Sequence, residues 1–154
     1  MRGFKVYLAG PLFSLAEREF NKGLVNALRE KLPNLKLNFI VPQDYAATIH
    51  GQTRFLDSVF EHCMKSIDEA DAMLCILEGS DVDSGTCIEM GYAYARGKPI
   101  IGVRTDFRAS EDKGVNLMVS KVCREFVRLS SSQVAQDELI EEVSAALRRV
   151  LTSQ

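Results

Sequence analysis

A chain of 154 residues, 46% hydrophobic and 26% charged, has the length and balance of one globular domain with a full core. Its formal net charge of −2 supplies no attraction for nucleic acid or an anionic membrane, and no apolar run approaches the length of a bilayer span. No basic-then-apolar leader opens the chain, and Cys63, Cys75, Cys87 and Cys123 lack CxxC spacing, so reduced thiols in a cytoplasm are expected.

Phe4 to Ala9 reads as a short strand stopped by Gly10-Pro11. Ser14 and Glu17 have capping-box spacing, and Leu15, Phe20, Leu24, Leu28 and Leu32 then recur at roughly helical intervals up to Pro33. Leu37 to Val41 predicts a second strand ended by Pro42, and 43–53 a polar loop holding Gly51. Arg54 to Ala70 predicts a helix with Phe55, Val59, Cys63 and Ile67 on one face. Asp71 opens an apolar strand, Ala72 to Leu77. A helix over 84–95 stops at Gly97, with Pro99 just beyond. Ile100 to Val103 predicts a buried strand, and 104–114 a polar segment. Lys121 to Leu129, where apolar residues alternate with charges, predicts an edge strand, and Val134 to Leu151 an amphipathic closing helix.

Alternating strands and helices imply right-handed βαβ units and a parallel sheet. The expected fold is α/β: a flavodoxin-like, doubly wound, five-stranded parallel sheet of order 2-1-3-4-5 with helices on both faces. Such sheets bind ligands beyond the carboxyl ends of the strands, where strand order reverses. Here that point lies between strands 1 and 3, flanked by Gly10–Phe13 and Glu78–Ser84.

Beside the second of those loops stands the oddest residue of the chain. Glu89 is the only charged side chain between Ser84 and Ala95, in a helix apolar nearly all round and so expected to be largely buried. A buried carboxylate is costly unless it is paired or hydrogen-bonded. Helical side chains lean toward the N-terminus, so Glu89 points back over Gly85 and Thr86 toward the cleft. A carboxylate aimed into a cleft serves as nucleophile or base; a plain ion pair is the competing explanation. Asp83 sits where an N-cap belongs, yet two carboxylates at one cleft are also the usual equipment for breaking a glycosidic bond. Tyr7, on strand 1, is either packing or a donor that orients Glu89. Gly10-Pro11 is a turn that also lets backbone amides approach a ligand. Phe13 is either core or a surface for stacking on a planar base. Two histidines without HxxxH spacing give no sign of a metal.

Tyr7-Leu-Ala-Gly-Pro-Leu-Phe13, Ala70-Asp71, Asp83-Ser-Gly-Thr-x-x-Glu89-x-Gly-Tyr-Ala93, Gly97-Lys-Pro99 and Asn116-Leu-Met118 resemble the nucleoside 2-deoxyribosyltransferases. The resemblance runs from strand 1 to about Met118, and its motifs are shared with relatives that hydrolyse nucleoside monophosphates. It implies that Glu89 is the nucleophile taking a 2-deoxyribosyl group at C1′, that Tyr7 hydrogen-bonds it, and that Asp83 contacts the base and helps protonate it. It implies a base pocket lined by Phe13, and Asn116 and Met118 reaching the sugar in a neighbouring subunit's site. The protein would then be a homo-oligomer with shared sites, acting on nucleosides and nucleobases without a cofactor. One position departs: the family often has an aspartate eight residues before the strand-3 aspartate, and here that position is Cys63.

Transfer between bases by double displacement is the leading expectation. Hydrolysis of a nucleoside 5′-monophosphate is the first rival, with Gly10, Ser14, Ser84 and Gly85 as candidate phosphate contacts. Against it, neither loop carries an Arg or Lys; Arg18 lies a turn into the first helix. A non-catalytic nucleotide-binding module is the second rival.

Overall fold

The computed structural model describes residues 3–108, 114–129 and 132–153. In chain order the elements are β1 (Lys5–Ala9), α1 (Leu15–Lys31), β2 (Asn38–Ile40), α2 (Pro42–Ile49), α3 (Phe55–Glu69), β3 (Ala72–Ile76), α4 (Ser84–Ala95), β4 (Ile100–Arg104), α5 (Leu117–Lys121), β5 (Glu125–Arg128) and α6 (Gln136–Thr152). The five strands form one sheet of order β2-β1-β3-β4-β5, and every neighbouring pair is parallel. This is the flavodoxin-like α/β fold expected, with β1 and β3 side by side where strand order reverses.

Side-chain alternation along the strands sorts the core into two layers. Val6 and Leu8 of β1, with Ala72, Leu74 and Ile76 of β3, face α1 and α6 and meet Leu24, Leu28, Val143 and Leu147. Tyr7 and Ala9, with Met73 and Cys75, face the opposite way, toward Cys63 and Ile67 of α3 and Met90 and Ala93 of α4. A fully buried leucine such as Leu28 contributes about 1.5–3 kcal/mol. Parity along β1 therefore puts Tyr7 in the same layer as the helix that carries Glu89.

Three expectations are corrected. Residues 42–49 form α2 rather than loop, with Pro42 at its start, where a missing N–H is no loss. The edge strand is shorter than predicted, Glu125–Arg128, because Leu117–Lys121 is a turn of helix preceding it. And α4 is not buried all round: Ile88 is 67% and Tyr94 62% exposed, while Thr86, Met90 and Ala93 face the core. An apolar face is buried only where another element covers it, and among the described residues nothing covers that one. Of the polar segment predicted over 104–114, residues 109–113 lie outside the described residues.

Candidate active site

At the carboxyl end of β1 the chain must turn sharply against β3. A Cβ on Gly10 would lie 2.7 Å from Cβ of Ile76, so only glycine fits there. The turn leads into α1, whose start is a full capping box: Ser14 Oγ accepts from the Glu17 N–H at 3.2 Å, and Glu17 Oε2 accepts from the Ser14 N–H at 2.7 Å. The same Glu17 oxygen also takes the N–H of Phe13 at 2.9 Å. Arg18 turns its guanidinium onto the carbonyls of Leu12 and Phe13, at 3.3 and 2.9 Å. Phe13 itself is 72% exposed at the mouth, not core.

Across the cleft, α4 begins at Asp83. Asp83 Oδ2 accepts from Thr86 N at 2.8 Å and from Thr86 Oγ1 at 3.0 Å, so the cap is real. A Cβ on Gly85 would press to 3.2 Å from that oxygen, which explains the glycine beside it. Ser84 and Gly85 are exposed in the first turn.

Glu89 follows one turn later, half-buried, and its Oε1 accepts from the Tyr7 hydroxyl at 2.7 Å. Tyr7 is wholly buried, and burial together with the Glu89 charge drives its hydroxyl far above the usual phenol range. It is therefore a fixed donor. Burial raises the Glu89 carboxyl above the ordinary carboxylate range, and the charge of Asp83 raises it further; hydrogen bonds from Tyr7 and Cys63 partly offset both. Cys63 comes from α3, is buried, and stands beside both Tyr7 and Glu89 as an electrostatic neighbour. Its thiol is held above its ordinary value, chiefly by burial, so it is a neutral neighbour. The helical spacing of residues 55, 59, 63 and 67 marked Cys63 as inward-facing, but nothing local revealed that it reaches Glu89.

Tyr7, Cys63, Asp83 and Glu89 thus converge at the β1/β3 switch point, with Gly10, Phe13, Ser84 and Gly85 around the mouth. Asn116 and Met118 do not join them. Asn116 caps α5 by accepting from Met118 N at 2.9 Å, and Met118 is 70% exposed. Both border a cavity of about 450 Å³ against Cys87, Met90 and Gly91, on the flank of α4 turned away from Glu89. One residue was missed altogether. Arg104, at the end of β4, is 1% exposed and donates to the carbonyls of Leu77 and Gly79 at 2.6 and 3.0 Å. It anchors the start of the loop that leads to Asp83. An arginine closing an apolar strand was the available signal.

A carboxylate held by a buried phenol, raised in basicity and neighboured by a second carboxylate, has the parts for attack on an electrophilic carbon next to a leaving group that needs a proton. Comparison with known proteins bears on which carbon. Uncharacterized protein UU063 of Ureaplasma parvum is 35% identical over 104 residues, 62% of this chain, and the match spans 63% of that relative's length. A solved 2-deoxyribosyltransferase of Bacillus psychrosaccharolyticus superposes with a TM-score of 0.64 at 21% identity, over 88% of this chain and 95% of that one. The CMP N-glycosidase BcmB of Clostridium botulinum superposes with a TM-score of 0.56 at 19% identity, over 93% and 96%. These two structures share the fold. The model of the family described as nucleoside 2-deoxyribosyltransferase matches residues 6–118. With that match running from the strand that bears Tyr7 to the helix that bears Met118, the chain belongs to the nucleoside 2-deoxyribosyltransferase family.

Proposed function

We propose that the protein transfers a 2-deoxyribosyl group from one nucleobase to another through a covalent glutamyl-deoxyribose intermediate. The observation that carries this is the 2.7 Å bond from the Tyr7 hydroxyl to Glu89 Oε1 at the switch point. It fixes one carboxylate oxygen and leaves the other for C1′. In the first step Glu89 forms a bond to C1′ and the C1′–N bond breaks. Its electron pair goes to the base nitrogen, which gains a proton with the help of Asp83. In the second step a nitrogen of the incoming base attacks C1′ from the vacated face, releases Glu89 and sheds its own proton. Two inversions give net retention. The protein side of the chemistry consists of a nucleophile, a fixed phenol donor and a second carboxylate.

The position of Asn116 and Met118 supports shared sites. They lie across α4 from their own Glu89, next to the exposed Ile88 and Tyr94 face. In a homo-oligomer they line the sugar pocket of a neighbouring subunit.

Mass spectrometry of the intact protein after mixing with each of the common 2′-deoxynucleosides tests the reading. The expected result is a mass increase of one deoxyribosyl group, absent in Glu89→Ala. An adduct that persists in Glu89→Ala removes Glu89 as the nucleophile. Release of free deoxyribose when no acceptor base is present would mean that water also completes the second step, making the same site a hydrolase.

A further inference from the structure

We infer that Arg104 and Glu78 are positioning residues for Asp83. Together they brace the loop between β3 and α4 so that the Asp83 carboxylate stands where a departing base needs its proton. This rests on the transfer reading above and adds to it the residues that place its second carboxylate.

Strands β3 and β4 are paired with Ile76 beside Val103, so Glu78 and Arg104 leave the sheet at the same end. Each reaches into the other strand's loop. Arg104 Nη1 donates to the carbonyls of Leu77 and Gly79 at 2.6 and 3.0 Å, and Nη2 to that of Arg108 at 3.3 Å. In return, Glu78 Oε1 accepts from the Thr105 N–H and hydroxyl at 2.7 and 2.8 Å, and Oε2 from the Asp106 N–H at 2.7 Å. The two loops are thus cross-braced, side chain to backbone in both directions. Gly79 then turns the chain at φ +102°, a conformation that favours glycine. Ser80-Asp81-Val82 separates it from Asp83.

Ending a strand does not by itself account for Arg104. An apolar residue would do so at less cost, since a buried charge needs compensating hydrogen bonds. Arg104 is 1% exposed, and the carboxylate beside it, Asp106, stands 3.9 Å off and bonds Arg108 instead. Its charge goes to carbonyl oxygens, two of them at the start of the loop that leads to Asp83. Gly114 leaves the room: a Cβ there would lie 3.3 Å from the guanidinium and 2.9 Å from the Arg108 carbonyl. Helix α4 is already held by the burial of Thr86, Met90 and Ala93, so what the brace controls is the approach to the helix. Asp83 Oδ2 takes both bonds from Thr86. Oδ1 is the oxygen left for a base, and the path of residues 80–82 decides where it points. When the C1′–N bond breaks, a displaced Asp83 leaves the base to depart without its proton. The damage should therefore scale with how much the base needs one.

The test uses Glu78→Gln, Arg104→Ala and Arg104→Lys, with folding checked by circular dichroism; Glu78→Gln carries it should Arg104→Ala not fold. One arm needs no activity. Amide hydrogen exchange at Thr86, whose N–H is held by Asp83, is compared with exchange at Val143 in the core of α6. The expected result is faster exchange at Thr86 in Glu78→Gln and Arg104→Ala, with Val143 unchanged and Arg104→Lys in between. The other arm pairs 2′-deoxyuridine with 5-nitro-2′-deoxyuridine, and 2′-deoxyadenosine with 2-fluoro-2′-deoxyadenosine. The substituted base of each pair leaves more readily as an anion. Glu78→Gln should lower kcat/KM on the plain donor by about tenfold to a hundredfold, the scale for a group displaced by about 1 Å, and on the substituted donor by less. Arg104→Lys should recover part of the loss seen in Arg104→Ala. Unchanged exchange at Thr86 in the variants overturns the inference, as does equal acceleration at Thr86 and Val143. Equal loss on both members of a pair also overturns it, since the brace would then serve the fold alone. The transfer reading fails separately: a wild-type protein that exchanges no base, with Thr86 loosened in the variants, sinks transfer and keeps the placement of Asp83. Base exchange with Thr86 unmoved does the reverse.

Discussion

Helix α4 carries a tyrosine–carboxylate pair near each end, and the two behave in opposite ways. Near its start, Glu89 accepts from Tyr7 at 2.7 Å. Near its end, Tyr92 donates to Asp68 Oδ2 at 3.0 Å. Asp68 also receives Arg96 Nε at 2.7 Å, while Lys98 reaches the carbonyls of Asp68 and Ala70 at 2.6 and 2.9 Å. With Arg96 and then Tyr92 bound to it, in water, Asp68 is held below its ordinary value. Among the described residues Glu89 has no cation in contact, and burial pushes it above its ordinary value. The Asp68 end pins α4 to α3. The Glu89 end is left short of compensation, in keeping with the nucleophilic role proposed for it.

The largest expected effect comes from removing the charge at the uncompensated end. Glu89→Gln should lower base exchange by about a thousandfold or more, as loss of a nucleophile does, with the circular dichroism spectrum unchanged. Next is the phenol. Tyr7→Phe keeps the buried ring and deletes one hydrogen bond to a charged group, which should cost about tenfold to a hundredfold in kcat/KM. Since that bond holds the Glu89 carboxyl down, the acid limb of the pH–rate profile should also move to higher pH in Tyr7→Phe. Cys63→Ala should move it the same way by less.

Stability should respond in the opposite sense. Glu89 has its carboxyl raised on folding, so its favourable contribution is complete below the unfolded carboxylate value and is lost as pH rises through the folded one. Glu89→Gln should therefore melt a few degrees above wild type at neutral pH, a shift typical of one buried-charge change in a chain of this length, and the gap should close in acid. The smallest effect belongs to the compensated end. Asp68 is lowered on folding, so its contribution is present above the unfolded value and is lost as pH falls through the folded one. Asp68→Asn should melt slightly below wild type at neutral pH and converge with it in acid, with base exchange near wild type.

Periodicity alone made the sheet order legible, because strands alternating with helices leave few ways to wind a parallel sheet. The pairing of Tyr7 with Glu89 was legible as topology plus one misplaced charge. What was not legible had physical reasons. Pro42-Gln-Asp-Tyr-Ala-Ala-Thr-Ile49 has no long apolar stripe, and its leading proline looks as much like the end of a strand as the start of a helix. The exposure of Ile88 and Tyr94 depends on which elements pack on α4, and composition cannot count them. Cys63 was readable as a departure at a set position, but its contact with Glu89 exists only because α3, β1 and α4 meet across long sequence separations. Glu17 was readable as a cap; its second bond, to Phe13, depends on how the loop turns.

Tyr7 is aligned with Met73 across the parallel β1–β3 pair. A slip of one residue in that alignment would swing the phenol into the layer of Leu24 and Leu28, on the wrong side of the sheet from Glu89. The proposed chemistry at this site is thus conditional on a long-range alignment that no local segment can enforce. Misthreaded chains would be silent rather than sloppy, so specific activity per mole doubles as a gauge of how much of a preparation has reached the correct strand register.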